Sequence, residues 1–357
     1  MTDPAILTDS TDHDLHIRNL YKIFGPHGER HVQAVRDGMS KTELNDRFNH
    51  VLGLHDINLT IPQGQITVIM GLSGSGKSTL IRHINGLIAP TAGQVLFQGQ
   101  DVAQMTAPEL RAFRRRKTAM VFQKFALLPH RTVLENATYG LDIQGVAKAQ
   151  ARDTARHWLD RVGLSGFEDR YPRQLSGGMQ QRVGLARALA NDAEILMMDE
   201  AFSALDPLIR VDMQGILLEL QKELHKTIIF ITHDLDEALR LGDKIAVLRD
   251  GALEQVGTRQ DIVLRPANDY VARFVREVNR GRIIRAETVA YPLPDGQDMP
   301  DFVVRARNEL DLVARNMTRA GVSRGRVVTR DGALVGIIDL ATILDAMVNP
   351  AEVESED

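Results

Sequence analysis

Cysteine is missing from the chain, and so are long apolar runs and an excess of positive charge. Without cysteine the protein forms neither disulfides nor thiolate metal sites, which suits a reducing compartment. No uninterrupted apolar run reaches the roughly 18 residues that a membrane-spanning helix needs. The formal net charge is -4, so no overall field attracts nucleic acid, and the basic run Arg114–Lys117 is expected to be a solvated face. These absences predict a cytosolic protein that reaches a membrane only through a partner.

The length and composition are those of an ordinary folded protein. The chain has 357 residues, of which 43% are hydrophobic, and this is enough to bury a full core. The length predicts two domains, or one domain with an appendage. Residues 1–14 are acidic and polar and are predicted to form a flexible leader, and the acidic end, residues 350–357, is predicted to be frayed.

The most informative stretch is a glycine-rich loop between an apolar run and a helical segment. The run Ile66–Met70 leads directly into Gly71-Leu72-Ser73-Gly74-Ser75-Gly76-Lys77-Ser78-Thr79. This fits G-x-x-x-x-G-K-[ST] in the order strand, loop, helix that a phosphate-binding loop requires. Backbone N–H groups of such a loop surround phosphate oxygens, Lys77 reaches the β- and γ-phosphates, and the Ser78 hydroxyl holds Mg²⁺. An ordinary glycine-rich turn would not need the whole motif, so we predict that the chain binds a nucleoside triphosphate.

Two adjacent acids follow an apolar run farther along the chain. Residues 194–198 predict a buried strand, and this strand ends in Asp199 and Glu200. On a strand beside the phosphate loop, Asp199 is expected to contact Mg²⁺, directly or through water. Glu200 is expected to act as the general base for the attacking water. Two acids after a strand can also be solvent-exposed caps, but the apolar run and the phosphate loop favour catalysis.

Three further side chains are candidates on weaker grounds. Gln123 follows a predicted strand and can reach a metal or the attacking water, and His233 follows another and can contact the γ-phosphate region and Glu200. Phe24 ends an alternating strand pattern that begins at Leu15, and it is a candidate for stacking on an adenine ring. Each of these residue types is more often structural, so their roles depend on the phosphate loop.

A second glycine-rich helix start follows a helical region. Residues 133–177 carry helical patterns and predict a subdomain that interrupts the α/β order. At its end a helix reaching about Leu189 begins with the motif Leu175-Ser176-Gly177-Gly178-Met179-Gln180. Such a helix start attracts anions through its free N–H groups and its dipole. One chain thus has two predicted anion-binding helix ends, and the phosphate loop alone does not explain the second.

Two shorter segments have recognisable helix starts. Residues 25–52 are predicted to be an insertion, in which Ser40 and Glu43 form a capping box that opens a short helix. Another helix is predicted to open with Asp206 as its cap and a proline in its first turn. The loop before it is Ser203-Ala204-Leu205-Asp206.

Together these residues resemble the ATP-binding subunit of ABC transporters. The likeness covers residues 15–267, and the leucine-serine-glycine-glycine signature separates it from other phosphate-loop ATPases. It implies an α/β fold, a P-loop NTPase domain with a helical subdomain, that binds ATP and Mg²⁺. The residues implied at the metal are Ser78, Asp199 and Gln123.

The resemblance also implies a homodimer of ATPase subunits that pack head to tail around two ATP molecules. Each ATP is then held by Lys77 and Ser78 of one chain and by Ser176 and Gly178 of the other. This arrangement accounts for the second anion-binding helix end.

Three more positions have roles in the proteins that this chain resembles. The aromatic residue matching Phe24 stacks on adenine, and the glutamine matching Gln123 senses the nucleotide and the membrane partner. The aspartate matching Asp206 lies along the dimer seam, which the resemblance places at residues 203–206.

A narrower resemblance is to importers of quaternary amines such as glycine betaine, proline betaine or choline. It depends on the segments 38–43, 68–77, 125–130 and 199–210. It implies an integral membrane permease and an extracytoplasmic solute-binding protein as partners, with no nucleic acid. The chain would then lie peripherally on the cytoplasmic face of the bacterial inner membrane, and the permease and binding protein would recognise the solute.

The last hundred residues predict a separate small α+β unit. Residues 268–300 are predicted to form a helix and a Pro/Gly/Asp linker, and residues 301–349 have the order β-α-β-β-α. The turn Asp331-Gly332 is a good hairpin signal within this pattern. The pattern is similar to a single CBS unit, which implies a regulatory role, although the betaine importers usually carry two such units.

Alternatives from other classes are less well supported. An ABC importer ATPase for another small solute would carry the same motifs. A soluble ABC-type ATPase acting on DNA or ribosomes would need a long coiled coil or a second cassette, yet each motif occurs once. A small-molecule phosphotransferase would have no use for the second glycine-rich helix start.

Overall fold

The computed structural model describes residues 13–123, 125–276, 278–294 and 296–348. The predicted leader therefore lies almost wholly, and the predicted acidic tail wholly, outside the described residues. The chain divides into two compact units, the first ending at Val256 and the second beginning at Gly257. No helix within the described residues is both long and apolar enough to cross a membrane.

The first unit contains the strands β1 to β10 and the helices α1 to α9. The strands are β1 (Leu15–Phe24), β2 (Val51–Ile61), β3 (Ile66–Met70), β4 (Ala92–Phe97), β5 (Gln100–Asp101), β6 (Thr118–Phe122), β7 (Ile195–Asp199), β8 (Thr227–Thr232), β9 (Lys244–Arg249) and β10 (Ala252–Gly257). The helices are α1 (Val32–Arg36), α2 (Lys41–Phe48), α3 (Lys77–Ile84), α4 (Ala107–Arg116), α5 (Val133–Gln144), α6 (Lys148–Arg161), α7 (Gly177–Ala190), α8 (Pro207–Leu224) and α9 (Leu235–Leu241).

A six-stranded sheet in the order β10-β9-β3-β8-β7-β6 forms the centre of this unit. The strands β9, β3, β8, β7 and β6 run parallel to one another. All five residues of β3 and all six of β8 are buried. Continuous apolar strands of this kind occur where helices cover both faces of a parallel sheet. Because the carboxyl ends of parallel strands share one edge, residues that follow β3, β6, β7 and β8 are brought together there.

A four-stranded antiparallel sheet in the order β2-β1-β4-β5 lies in the same unit. The predicted strand that begins at Leu15 is confirmed as β1, and Phe24 at its end pairs with Val51 of β2. The predicted capping box of the insertion is also confirmed, since the Glu43 N–H donates to Ser40 Oγ at 3.1 Å and the Ser40 N–H donates to Glu43 Oε2 at 3.2 Å.

The predicted helical subdomain is present as α5, α6 and α7. The helices α5 and α6 lie within the predicted region, residues 133–177, and α7 begins at its end. A small core of Leu141, Ala151 and Ala190 joins the three helices, with Trp158 packed against it.

The predicted cap at Asp206 is wrong in one respect. The helix α8 does begin at Pro207, but the Asp206 side chain accepts no capping hydrogen bond. Proline has no N–H and its ring fixes a helical φ, so the first turn has one donor fewer to satisfy. The Asp206 carboxylate is thus not used by its own helix.

The second unit has the predicted order β-α-β-β-α. Its sheet has the order β11-β12-β13, with β11 parallel and β13 antiparallel to β12. The strands are β11 (Val303–Arg305), β12 (Arg324–Val328) and β13 (Leu334–Asp339). The helices are α10 (Arg259–Leu264), α11 (Asp269–Val275), α12 (Ala286–Val289), α13 (Leu310–Ala320) and α14 (Leu340–Met347). Residues 268–300, predicted as helix and linker, contribute Ile284 and Ala286 to the core of this unit.

Candidate active site

The phosphate loop lies between β3 and α3, as its motif predicts. Lys77 is the first residue of α3 and is 5% exposed. Its Nζ donates to the Gly71 carbonyl oxygen at 2.8 Å and to the Leu72 carbonyl oxygen at 3.0 Å. Burial lowers the pKa of Lys77, and the nearby carboxylates of Glu200 and Asp199 oppose this effect. The ammonium group is therefore enclosed by the loop and available to a phosphate bound there.

The first glycine of the loop is required by close backbone packing. Gly71 has φ of 156°, and a Cβ at this position would lie 2.1 Å from the Leu248 carbonyl oxygen. Leu248 belongs to β9, which pairs with β3 in the parallel sheet. Any side chain at residue 71 would consequently separate the loop from the sheet.

Asp199 and Ser78 meet beside the loop. The Ser78 hydroxyl donates to Asp199 Oδ1 at 3.3 Å. Burial raises the pKa of Asp199, and the hydrogen bond from Ser78 opposes this rise. A half-buried carboxylate together with a hydroxyl is a donor set that suits Mg²⁺. Within the described residues no group of three His, Asp or Glu side chains could hold a metal, so phosphate oxygens would have to complete the coordination.

Glu200 has an unusual backbone conformation for a glutamate. Its φ is 47°, in the left-handed region that non-glycine residues seldom adopt. Its N–H donates to the Ile231 carbonyl oxygen at 3.0 Å, and its carbonyl oxygen accepts from Ser203 Oγ at 2.9 Å. Strain of this kind persists where the surroundings hold a residue firmly, and it is common in active sites.

Three polar side chains converge on the Glu200 carboxylate. His233 Nδ1 lies 3.6 Å from Oε2, Gln123 Nε2 donates to Oε2 at 3.3 Å, and Lys77 Nζ lies 3.9 Å from Oε1. Gln123 also donates to Ser203 Oγ at 3.0 Å. Gln123, Glu200 and His233 follow β6, β7 and β8. Lys77 begins the helix α3, directly after the loop that follows β3. The structure therefore brings together the predicted residues from four strand ends.

Phe24 adjoins the phosphate loop through a residue that the sequence reasoning missed. A Cβ at Gly53 of β2 would lie 2.6 Å from Cε2 of the Phe24 ring, so the ring rests on the bare backbone there. A Cβ at Gly76 of the phosphate loop would lie 2.9 Å from the Gly53 carbonyl oxygen. The ring is 39% exposed and has Lys22 Nζ 5.2 Å from its centroid. Gly53 thus sets an exposed aromatic face next to the phosphate loop.

The signature motif forms the start of α7. Ser176 is the N-cap residue, and its Oγ accepts a hydrogen bond from the Met179 N–H at 3.3 Å. Gln180 Nε2 donates to the Leu175 carbonyl oxygen at 3.2 Å. A Cβ at Gly178 would lie 2.6 Å from Ile209 Cγ2, so this glycine allows α7 to approach α8 closely. Among the described residues these hydrogen bonds stay within the motif, and none joins it to the phosphate loop of the same chain.

Arg210 supports the loop 203–206, and the sequence reasoning did not identify it. Its guanidinium lies 3.1 Å from Asp234 Oδ2 and 3.5 Å from the carbonyl oxygens of Ser203 and Leu205. It lies four residues after Asp206 on α8, within reach of the loop. A basic residue one turn into a helix that follows a functional loop is the signal that could have found it.

The fold and this strand-edge site define a phosphate-loop ATPase. A family model described as ABC transporter matches residues 54–203, which run from β2 through the signature to the loop after β7. The relatives described next cover most of the chain at high identity. The chain belongs to the ATP-binding subunits of ABC transporters, and its activity is ATP hydrolysis coupled to transport.

Two curated relatives and one solved structure illustrate the match. The chain is 46% identical to the glycine betaine/proline betaine transport system ATP-binding protein ProV of Salmonella typhimurium, over 96% of this chain and 84% of ProV. It is 52% identical to the glycine betaine transport ATP-binding protein OpuAA of Bacillus subtilis, over 76% of this chain and 67% of OpuAA. A dimeric ATP-binding cassette in a post-hydrolysis state with ADP and Pi is 32% identical, with a TM-score of 0.58 over 69% of this chain and 98% of that chain.

Proposed function

We propose that this protein is the ATP-hydrolysing subunit of an importer that takes up a quaternary ammonium compound, namely choline, glycine betaine or proline betaine. The observation that carries the proposal is the high identity to betaine-transport ATP-binding proteins over nearly the whole chain. Recognition of the solute belongs to an extracytoplasmic binding protein and an integral membrane permease. An importer ATPase for another small solute is the alternative.

The working unit is a head-to-tail homodimer with two ATP molecules between the chains. The dimeric assembly of the solved relative supports this arrangement. So does the helix start at Ser176, which has N–H groups that attract an anion and which, among the described residues, makes no hydrogen bond to the phosphate loop of its own chain. Ser176 and Gly178 of one chain bind the γ-phosphate of the nucleotide held by the other, and Asp206 lies along the seam.

Binding and hydrolysis then follow from the site geometry. Phe24 stacks on the adenine, the loop residues 71–79 surround the phosphates, and Lys77 transfers its hydrogen bonds from the loop carbonyls to the β- and γ-phosphates. Ser78, Asp199 and Gln123 would hold Mg²⁺, and the ion would supply positive charge to neutralise the β- and γ-phosphates. Glu200 takes a proton from the attacking water, and His233 orients Glu200 and the γ-phosphate.

Contacts with the permease lie between the helical subdomain and the central sheet. A cavity of about 530 Å³ opens there, between α4, β6, α5 and α7. Its lining includes Phe122, which directly precedes Gln123, and the arginines Arg114, Arg115 and Arg187. Two arginines of the run expected to be a solvated face thus line a cavity, so the face is available to a partner. A movement of the residues that line this cavity would be transmitted to Glu200 through the side-chain amide of Gln123.

The position on the membrane and the role of the second unit are also part of the proposal. The chain lies peripherally on the cytoplasmic face of the bacterial inner membrane, held by the permease. Residues 301–349 form a single CBS-like unit that regulates transport, and the β-α-β-β-α order of its described residues supports this.

Uptake by the native host tests the transport function. We would measure uptake of labelled choline, glycine betaine and proline betaine at low and high osmolarity, with redundant carriers removed, in cells that carry the wild-type protein or Glu200→Gln. Loss of one uptake in the variant would name the solute. Unchanged uptake of all three would refute the quaternary-amine assignment and leave the ATPase in place. A dependence on osmolarity that disappears when residues 257–357 are deleted would assign regulation to the second unit.

A further inference from the structure

His50 is a buried histidine with both ring nitrogens against carbonyl oxygens. It lies between α2 and β2 and is 5% exposed. Its Nδ1 is 2.6 Å from the Phe48 carbonyl oxygen, and its Nε2 is 2.8 Å from the Pro26 carbonyl oxygen. A carbonyl oxygen only accepts, so each of these short contacts requires a proton on the nitrogen. A neutral imidazole has one such proton, and only the imidazolium has both. The two carbonyl dipoles supply the partners that a buried cation needs.

The turn after β1 is packed directly on this ring. Gly25 has φ of 137°, and a Cβ there would lie 2.4 Å from His50 Cδ2. The His31 ring meets the His50 ring edge-on with centroids 4.6 Å apart, and it lies 4.4 Å from the Phe48 ring. The imidazole is thus enclosed by the turn on one side and by aromatic rings on another.

The turn that His50 holds begins at Phe24. Gly25 and Pro26 directly follow Phe24 in the chain, and Val51, which directly follows His50, pairs with Phe24 across β1 and β2. We propose that His50, as an imidazolium bonded to Pro26 and Phe48, is a positioning residue that fixes Phe24 for stacking on the adenine base. This rests on the proposed role of Phe24 in ATP binding.

Other titratable groups adjoin His50 on the elements packed around it. His31 is the nearest, with its ring centroid 4.6 Å from that of His50. His27 is paired with Glu29 at 3.3 Å in the same turn, and Arg47 lies over the Phe48 ring at 5.5 Å.

The protonation state can be observed directly. Nuclear magnetic resonance of the full chain labelled with ¹⁵N-histidine separates imidazolium from the neutral tautomers. The two contacts with carbonyl oxygens predict protons on both His50 nitrogens in the folded chain. A spectrum with one protonated and one bare nitrogen would overturn the inference.

Measurements of nucleotide binding then distinguish a positioning role of His50 from a purely structural role. Each variant is made in the full chain on a Glu200→Gln background, which prevents hydrolysis during titration, and ATP is compared with inorganic tripolyphosphate, which has no base. We expect His50→Gln to weaken ATP binding about five- to tenfold, as partial loss of a base–aromatic stack would. Tripolyphosphate affinity should change less than about twofold, since the phosphate loop is intact.

Two further variants make the outcomes distinct. His16→Gln is the matched control, because His16 lies at the other end of β1 and contacts Thr60 Oγ1 at 3.1 Å. Phe24→Ala removes the ring that is proposed to stack on adenine. If Phe24→Ala weakens ATP binding but His50→Gln does not, Phe24 contacts the base without help from His50, and the inference is wrong. If His50→Gln weakens ATP and tripolyphosphate equally, His50 is only structural. If Phe24→Ala binds ATP normally, the proposed adenine contact and this inference both fall.

Discussion

The two glycine-rich helix starts, at α3 and α7, differ in the groups that surround them. At α3, Lys77 is buried among loop carbonyls, and Ser78 donates to Asp199. At α7, Ser176 Oγ accepts from the N–H of Met179 in its own helix, and Gly178 packs against Ile209. Both ends have free N–H groups that attract an anion. Beside the first lie the Lys77 ammonium group and the carboxylates of Asp199 and Glu200.

This difference explains how one sequence can form a site that requires two copies of the chain. The α7 start can recognise a phosphate but has nothing that could activate water. In the proposed mechanism the α3 start supplies the reactive groups, and the α7 start of the partner chain contacts the same phosphates. A site that requires both is complete only when ATP is bound between two chains, so ATP binding and dimer closure depend on each other.

The largest effect is expected from removing the base beside α3. Glu200→Gln should lower ATP hydrolysis about 10³-fold, within the range for loss of a general base, while ATP binding is kept and the dimer stays closed. Phosphate release and light scattering with ATP would measure the two effects. Glu194→Gln is the control, because this residue pairs with Lys117 at the other end of β7 and should hydrolyse ATP normally. A normal rate in Glu200→Gln would refute its assignment as the base.

A mixing experiment tests whether the two helix starts act across the dimer. Lys77→Ala should lose ATP affinity, and Gly177→Asp should bind ATP but repel the partner's phosphate; each homodimer should lose hydrolysis about 100-fold. Gly177→Asp should still fold, since its Cβ would lie 3.5 Å from Phe125 Cζ and an acid is favourable at a helix start.

Mixed dimers of these two variants would contain one intact site. That site combines the phosphate loop of the Gly177→Asp chain with the signature of the Lys77→Ala chain. An equal mixture should therefore regain up to about a quarter of the wild-type rate. If mixing restores nothing although heterodimers form, the head-to-tail arrangement is wrong.

The metal-binding carboxylate at α3 predicts a smaller, pH-dependent effect. Burial raises the pKa of Asp199, and Mg²⁺ binds only its ionised form, so protons compete with the metal at higher pH than they would at an exposed aspartate. Below that pKa the Mg²⁺ concentration for half-maximal hydrolysis should rise about tenfold per pH unit. Ser78→Ala should move the onset to higher pH, because its hydrogen bond favours the charged carboxylate. A Mg²⁺ requirement that stays constant from pH 8 to pH 5 would contradict this.

The smallest effect concerns a buried acid near the start of α9 that is not predicted to bind phosphate or metal. Glu237 is 4% exposed, Gln214 Nε2 donates to its Oε1 at 3.1 Å, and burial raises its pKa. The folded state then holds the proton more tightly than the unfolded state, so this residue's contribution to stability is lost as pH rises from the unfolded pKa through the raised one. Glu237→Gln imitates the protonated form and should raise the free energy of unfolding by about 1 kcal/mol at pH 8, with no gain at pH 4.

Urea unfolding at the two pH values measures this difference. Glu219→Gln, an exposed acid on the neighbouring α8, should leave stability unchanged at both. An equal effect of Glu237→Gln at pH 4 and pH 8 would show that ionisation is not its cause. Comparing the pH effects at Glu237 and Asp199 would then distinguish the effect of burying a carboxylate from the effect of placing it beside the proposed metal site.

Motifs and periodicity predicted much of the fold and most of the site. Continuous apolar runs predicted β7 and β8, and because parallel strands end at one edge, Asp199, Glu200 and His233 do meet as expected. Patterns of residue type could not predict contacts made by the backbone alone. The left-handed conformation of Glu200 depends on the Ile231 carbonyl, which is distant in sequence. The pattern of residues 268–300, predicted as helix and linker, also did not show that the Ile284 side chain packs into the core of the second unit.

The missing side chain at Gly53 has a consequence for ligand length. The Phe24 ring and the Gly76 backbone both lie against this one residue, on β2. A methyl group there would displace the ring. In the proposed mode of ATP binding, Gly53 therefore fixes the separation between the surface for the base and the surface for the phosphates, and that separation selects ligands by the reach from ring to terminal phosphate.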